Sequence, residues 1–130
     1  GARKLGEQGI KVNPHPGDFR NDAIPTGYDL ITLIRILHDH DDELAQALLI
    51  KVRASLKPGD TLLIAEPMAG TSGAEAMADA YFGFYLLAMG SGRARTPQEI
   101  GAMLTRAGFA SWRERPTGLP IVTRVIAATA

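Results

Sequence analysis

Two polar positions of this 130-residue chain could take part in proton transfer. His38 follows a long apolar run and is surrounded by carboxylates, including Asp39, Asp41 and Asp42. An imidazole in such a setting can take a proton from a hydroxyl near neutral pH, so His38 is a candidate general base. The alternative is that His38 is only a turn residue before a helix. The neighbouring aspartates are most simply explained by turn formation and helix capping.

Glu66 ends a second apolar run, where a carboxylate that is at least half-buried needs a partner. A neighbouring histidine would supply one, and Glu66 would then fix the tautomer of its ring and raise its basicity. A surface position just beyond the strand is equally compatible with the sequence. A metal site at His38, Asp39 and His40 is less favoured, because alternate residues of a turn rarely converge without a third ligand. We therefore expect no metal.

The elements that must position these residues alternate between apolar runs and helical patterns. Residues 28–37 and 61–65 are apolar runs typical of strands covered on both faces, and residues 10–12 form a shorter candidate strand. Two further strands are predicted at 109–114 and 121–127, and helices at 2–8, 41–56, 74–89 and 96–108. The last helix begins with a capping box in which Thr96 caps, Pro97 takes the first position and Glu99 reaches back.

This order predicts an α/β sheet with helices on both faces and a terminal antiparallel strand pair. Ligands of open α/β sheets bind at the carboxyl ends of the strands, and residues 17–19, 37–42 and 66–68 follow three such ends. We expect these segments to converge on one edge of the sheet. The helix at 74–89 is apolar almost all round. An apolar helix usually packs in the core, but the apolar residues beyond those needed for one core-facing side could line a pocket for a large apolar ligand.

The composition excludes several classes of protein. The 14 basic residues are balanced by 14 acidic ones, which argues against a nucleic-acid binder. There is no cysteine, and the longest run without a charged residue, 80–92, is shorter than the roughly 17–25 residues of a membrane span. We expect a cytoplasmic protein, with peripheral membrane contact as a further option.

The chain resembles the small-molecule O-methyltransferases that depend on S-adenosylmethionine. The similar segments are GDF at 17–19 with PTGYDLITLIRILHDHDDE at 25–43, LKPGDTLLIAEPM at 56–68 and RTPQEIGAMLTRAGF at 95–109. The resemblance implies the C-terminal part of a class I, Rossmann-like methyltransferase fold, with S-adenosylmethionine as cofactor. It implies that His38 is the general base and that Glu66 orients it. Asp18 and Phe19 match the pair that holds the adenine of the cofactor, although Asp18 alone could simply organise its own turn.

Within the family, residues 65–96 are most similar to the carotenoid O-methyltransferases of purple photosynthetic bacteria. This implies a hydroxylated carotenoid as the acceptor, with a pocket formed by Asp39, Met68, Met77, Tyr81 and Phe84. The chain departs from the family pattern twice. His40 replaces the usual tryptophan, and Ala94 stands where members that methylate phenols commonly carry a second glutamate. A phenolic acceptor is therefore less expected.

The family's glycine-rich cofactor loop, its ribose-binding acid and its N-terminal dimerisation domain have no counterpart in residues 1–130. We therefore expect a truncated catalytic domain from a longer, homodimeric enzyme. Two other functions stay open. One is methylation of an aromatic natural product, and the other is a non-catalytic module that binds a partner through an exposed sheet edge. The presence of both His38 and Glu66 favours an enzyme.

Overall fold

The computed structural model describes residues 2–9, 11–70, 80, 83–84, 87–88, 90–118 and 123–130. Within them one sheet contains β1 (Leu30–Ile34), β2 (Thr61–Pro67), β3 (Ser111–Arg115) and β4 (Thr123–Thr129). Its order is β1-β2-β4-β3; β1 is parallel to β2, while β4 is antiparallel to both β2 and β3. The mixed α/β sheet and the terminal antiparallel pair are confirmed.

Three helices and one short turn accompany the sheet: α1 (Ala2–Glu7), α2 (Asp42–Ser55), α3 (Pro97–Arg106) and a 3-10 turn at Leu37–Asp39. Ala80, Gly83, Phe84, Leu87 and Ala88 are also helical. The rest of the predicted helix at 74–89, with Met77 and Tyr81, lies outside the described residues. Among those residues, no helix has the length and apolar character needed to span a bilayer.

The hydrophobic core lies where α2, α3 and the sheet meet. The helices contribute Ala45, Leu48, Leu49, Val52, Ile100, Met103 and Leu104, and the central strands contribute Leu62, Ile64, Ile126 and Ala128. Each of these side chains is at most 3% exposed. The core therefore fixes β2, the strand that ends in Glu66, against both helices.

Strand β1 differs from its prediction in length and in burial. The predicted run, 28–37, is shortened because Arg35 adopts a φ of 55° and Leu37 begins the 3-10 turn. Leu30, Thr32 and Ile34 share one face of the strand and are exposed, with Leu30 at 49% and Ile34 at 57%, because no described element covers that face. The expectation of a strand covered on both faces is therefore wrong for β1. The short strand predicted at 10–12 is also wrong where it is described, because Lys11 and Val12 have no regular structure.

The N-terminus of α3 is capped as its local sequence predicts, whereas the N-terminus of α2 is not. At α3 the capping box is confirmed: Thr96 Oγ1 accepts from the Glu99 amide, and Glu99 Oε2 accepts from the Thr96 amide. Gly108 follows the helix with a φ of 90°. At α2, Asp41 occupies the N-cap position, but its carboxylate accepts from the Gly92 amide at 3.0 Å and caps no amide of α2.

Candidate active site

The turn that carries His38 begins where β1 ends. Arg35, in the left-handed region, donates its amide to Ala65 O at 2.9 Å, and the chain then turns toward the end of β2. This conformation is uncommon for a residue other than glycine and carries strain of order 1–3 kcal/mol. The turn buries Leu37 and His38, which are 1% and 2% exposed. His38 therefore lies inside the protein at the carboxyl end of the sheet.

A buried carboxylate holds the ring of His38. Its Nδ1 lies 2.6 Å from Oε2 of Glu66, whose side chain is 1% exposed. The other oxygen of Glu66, Oε1, accepts from the amides of Ile36 and Leu37, each at 2.8 Å. Because a carboxylate can only accept, this network assigns the proton of the neutral ring to Nδ1 and the lone pair to Nε2. The predicted meeting of residues 37–42 with Glu66 is confirmed.

A second carboxylate lies on the other side of the ring. Oδ1 of Asp39 is 3.2 Å from His38 Nε2. This oxygen is buried, and within the described part of the chain it accepts no hydrogen bond. A neutral ring with its proton on Nδ1 has none to give it, whereas an imidazolium would donate from Nε2. The ring is thus placed between two carboxylates, with Glu66 at Nδ1 and Asp39 at Nε2.

The segment at 17–19 reaches the same edge of the sheet through Phe19. The ring centroids of Phe19 and His40 are 5.2 Å apart and tilted by 49°. Lys51 of α2 holds this loop by donating to the carbonyls of Phe19, Arg20 and Asp22 at 2.7–3.2 Å. All three predicted segments therefore converge, as expected.

Asp18 organises its own turn and keeps capacity for a ligand. Its Oδ1 accepts from the Arg20 amide at 3.0 Å, and its Oδ2 accepts from Asn21 Nδ2 at 2.8 Å. Each oxygen still has a lone pair that could accept from an amine such as that of adenine. A cavity of about 340 Å³ is lined by Gly17, Asp18 and Phe19 among others. These residues fit the adenine end of S-adenosylmethionine.

The residues assigned to an acceptor pocket are only partly described. Met68 is 1% exposed and packs in the core, whereas Phe84 is 76% exposed. Leu87, one turn further along, is 78% exposed. The pocket itself stays a prediction. In the described part of the chain, no group of three or more histidine, aspartate or glutamate side chains is arranged to hold a metal ion.

Sequence reasoning gave no role to Arg95, which is 2% exposed. Its guanidinium donates to the carbonyls of Leu37 and His40, each at 2.8 Å, and to Asp42 Oδ1 at 2.9 Å. The only signal in the sequence is the proximity of opposite charges: two arginines at 93 and 95 and an acidic stretch at 39–43. Nothing there indicates which arginine is buried.

The same cluster shifts the pKa values of its acidic members. Hydrogen bonds from Arg93 and then Arg95 lower the pKa of Asp42 from 3.8 to about 2. The Thr96 amide, followed by Arg93, lowers the pKa of Glu99, and Asp42 with Glu99 raises the pKa of Arg93. Asp42 therefore stays ionised, as the partner of the buried Arg95, well into the acidic range.

Comparison with known proteins identifies the family of the chain. A family model described as the O-methyltransferase domain matches residues 2–110. Over 118 residues the chain is 48% identical to demethylspheroidene O-methyltransferase of Rhodobacter capsulatus, covering 91% of this chain and 30% of that protein. Over 128 residues it is 38% identical to the protein of the same name from Cereibacter sphaeroides, covering 97% and 34%.

The fold has solved counterparts. The crystal structure of human N-acetylserotonin methyltransferase in complex with SAM matches with a TM-score of 0.76 and 29% sequence identity. That match covers 88% of this chain and 32% of the human one. The chain thus spans about a third of the length of the proteins it resembles.

Proposed function

The chain belongs to the O-methyltransferase domain family, and we propose that the intact protein transfers a methyl group from S-adenosylmethionine to a hydroxyl of a hydroxylated carotenoid. The acceptor class is supported by the 48% identity to the Rhodobacter capsulatus demethylspheroidene enzyme. That relative is about three times as long, which supports a longer intact enzyme. The proposal that residues 1–130 are the C-terminal part of its catalytic domain, and that the enzyme is a homodimer, rests on the sequence resemblance.

The buried His38–Glu66 pair carries the proposal. An aliphatic hydroxyl is far too weak an acid to ionise beforehand at neutral pH, so its proton must leave as the new ether bond forms. His38 Nε2 is the atom that takes this proton. Glu66, 2.6 Å from Nδ1, holds the ring in the required tautomer and stabilises the imidazolium. The cofactor, when bound, supplies an activated methyl group.

Asp39 gives the proton a second stabilising contact. Its Oδ1 lies 3.2 Å from Nε2 and accepts no hydrogen bond from the described residues. Once Nε2 is protonated it can donate to this oxygen, so the contact becomes a hydrogen bond only as the reaction proceeds. Interactions that become stronger as the transition state forms lower the barrier more than those already present in the ground state.

The remaining site residues are assigned either to binding of the cofactor or to binding of the acceptor. Asp18 and Phe19 are proposed to hold the adenine, and Asp39, Met68, Met77, Tyr81 and Phe84 to line the acceptor pocket. The exposure of Phe84 and Leu87, 76% and 78%, supports an apolar acceptor in that region. An acceptor of this kind dissolves in lipid, which makes peripheral membrane contact part of the proposal.

Single-turnover methyl transfer by the intact protein tests the function. A hydroxylated carotenoid and N-acetylserotonin are offered in parallel at saturating S-adenosylmethionine, and cofactor affinity is measured separately by calorimetry. His38→Ala should lower the rate by about 10²–10⁴-fold, the usual contribution of a general base, with cofactor affinity unchanged. Retention of more than about a tenth of the rate removes His38 from the role. Methylation of N-acetylserotonin but not of the carotenoid would show that the acceptor is aromatic and not a carotenoid.

A further inference from the structure

We propose that Arg95 is a positioning residue for the methyl-transfer reaction, acting through His38; this rests on the function proposed above. The His38 turn is only three residues long, and the side chain of its N-cap residue, Ile36, forms no capping hydrogen bond. Its amides at Ile36 and Leu37 are held by Glu66. The carbonyls of Leu37 and His40 accept instead from Arg95, which lies in a different segment of the chain.

Arg95 provides that support from both sides of the histidine. Its Nη1 donates to Leu37 O and its Nη2 to His40 O, both at 2.8 Å, so the guanidinium bridges the residues flanking His38 and Asp39. A planar guanidinium can reach several acceptors in one fixed geometry, which the single ammonium of a lysine cannot do. The ring position of His38 therefore depends on the shape of this side chain as well as on its charge.

The backbone of Arg95 is tied to the other half of the catalytic pair. It forms a parallel bridge with Met68, two residues beyond Glu66, and its carbonyl accepts from the Ala69 amide at 3.1 Å. The same residue thus joins the strand that carries Glu66 to the turn that carries His38. A shift of Arg95 would change the 2.6 Å contact between Nδ1 and Oε2.

Burial and charge pairing make this arrangement rigid. Arg95 is 2% exposed, and Asp42 neutralises it through Nε at 2.9 Å and Nη2 at 2.7 Å. A buried guanidinium must stay paired, because an unpaired one would be strongly destabilising. Arg93 also binds Asp42, but its side chain is 44% exposed, and among the described residues it donates to the carboxylates of Asp42 and Glu99. Arg93 is therefore a matched control.

Gly92 contacts the same turn and offers an independent perturbation. A Cβ built at this position would collide with His38 O and with the Asp39 backbone. Its φ of 88° already favours glycine. Gly92→Ala would therefore displace the turn by steric contact without changing any charge.

The experiment compares the intact enzyme with its Arg95→Lys, Arg93→Lys, Gly92→Ala and His38→Ala variants, and with Arg95→Lys combined with His38→Ala. We measure kcat, KM for both substrates, cofactor affinity and thermal melting. Arg95→Lys and Gly92→Ala should lower kcat about 10–100-fold with KM for the cofactor nearly unchanged, because misplacement by about 1 Å can cost this much. Arg93→Lys should stay within about twofold of the parent enzyme. In the His38→Ala background, Arg95→Lys should cause almost no further loss, since residues that act as a unit are non-additive.

Each other outcome overturns a defined part of the reasoning. Equal rates for Arg95→Lys and Arg93→Lys, with His38→Ala inactive, overturn the positioning role alone. An equal loss of rate from Arg95→Lys in both backgrounds also overturns it, because Arg95 then acts independently of His38. Failure of both Arg95→Lys and Gly92→Ala to fold assigns the two residues to stability instead. A His38→Ala variant that keeps its rate overturns both this inference and the proposed base.

Discussion

Replacing Glu66 by glutamine tests the His38–Glu66 pair with the smallest change in shape. In the structure Glu66 Oε1 accepts two backbone amides, from Ile36 and Leu37, and Oε2 accepts from His38 Nδ1. Glutamine has one oxygen and one amino group for the same three contacts. Either its oxygen stays with the two amides and its amino group faces Nδ1, or the reverse.

The two orientations differ in free energy and in catalytic consequence. With the oxygen on Nδ1, the amino group would face the amides of Ile36 and Leu37, which are then unpaired. Each unpaired buried amide costs about 1–3 kcal/mol, so this orientation lies about 2–6 kcal/mol above the other. The favoured orientation donates to Nδ1, which moves the ring proton to Nε2 and removes the base. At 1.36 kcal/mol per tenfold, the active form falls to about one molecule in 30 to one in 3 × 10⁴.

We therefore expect Glu66→Gln to lower the single-turnover rate about 30-fold to 3 × 10⁴-fold with little loss of stability, because both amide hydrogen bonds are kept and only the bond to His38 Nδ1 reverses its direction. The assay measures methyl transfer at saturating cofactor, thermal melting, and the tautomer of His38 from its ¹⁵N chemical shifts. Glu114→Gln, in an exposed pair with Arg124 on the antiparallel strands, is the control. A Glu66→Gln variant that keeps more than a tenth of the rate, or keeps the proton on Nδ1, refutes the reasoning.

Three further predictions concern the rest of the chain. Because the pKa of Asp42 is lowered to about 2, its stabilising effect is present above pH 4 and lost as the pH falls toward 2. Asp42 is 57% exposed, so the difference in unfolding free energy between the parent protein and Asp42→Asn should shrink by only about 0.2–1 kcal/mol between pH 7 and pH 2.5 in urea titrations. Gly101→Ala should destabilise by about 1–3 kcal/mol and change Trp112 fluorescence, because the added Cβ collides with the indole; an unchanged urea midpoint would contradict this contact. Residues 1–130 alone should not bind S-adenosylmethionine at micromolar concentration in calorimetry, since the contacts proposed for Asp18 and Phe19 reach only the adenine end; micromolar binding would contradict this prediction.

Local signals in the sequence predicted those elements whose causes are local. The capping box at α3 depends on residues 96–99 alone, and it appears as predicted. The end of β1, in contrast, depends on a residue that is distant in the sequence. Residues 36 and 37 are as apolar as the strand before them, and the chain leaves the sheet there because Glu66, about 30 residues later, accepts both of their amides. Periodicity within the run carries no information about that partner.

The same distinction applies to the site. His38 and Glu66 could be paired in advance because each follows a strand, and parallel strands bring their carboxyl ends together. The role of Arg95 could not be predicted, since its bonds reach 53 to 58 residues back to Asp42, His40 and Leu37. In sequence Arg93 and Arg95 are equivalent. Only the packing of Arg95 against Met68 and the turn makes one buried and leaves the other exposed.

The His38 ring has a second carboxylate beside it even though the residue expected to supply one is absent. Ala94 removes the glutamate that phenol-methylating relatives are expected to carry, which from sequence alone leaves the ring with one acidic partner. Asp39 reaches Nε2 at 3.2 Å, because the 3-10 turn at Leu37–Asp39 folds the residue after His38 back over the ring. A hydrogen bond to Asp39 needs a proton on Nε2, and the bond to Glu66 needs one on Nδ1, so only an imidazolium can donate to both carboxylates. In the proposed reaction the ring would therefore gain its second hydrogen bond as it takes the proton, which suits a general base for an acceptor that cannot ionise first.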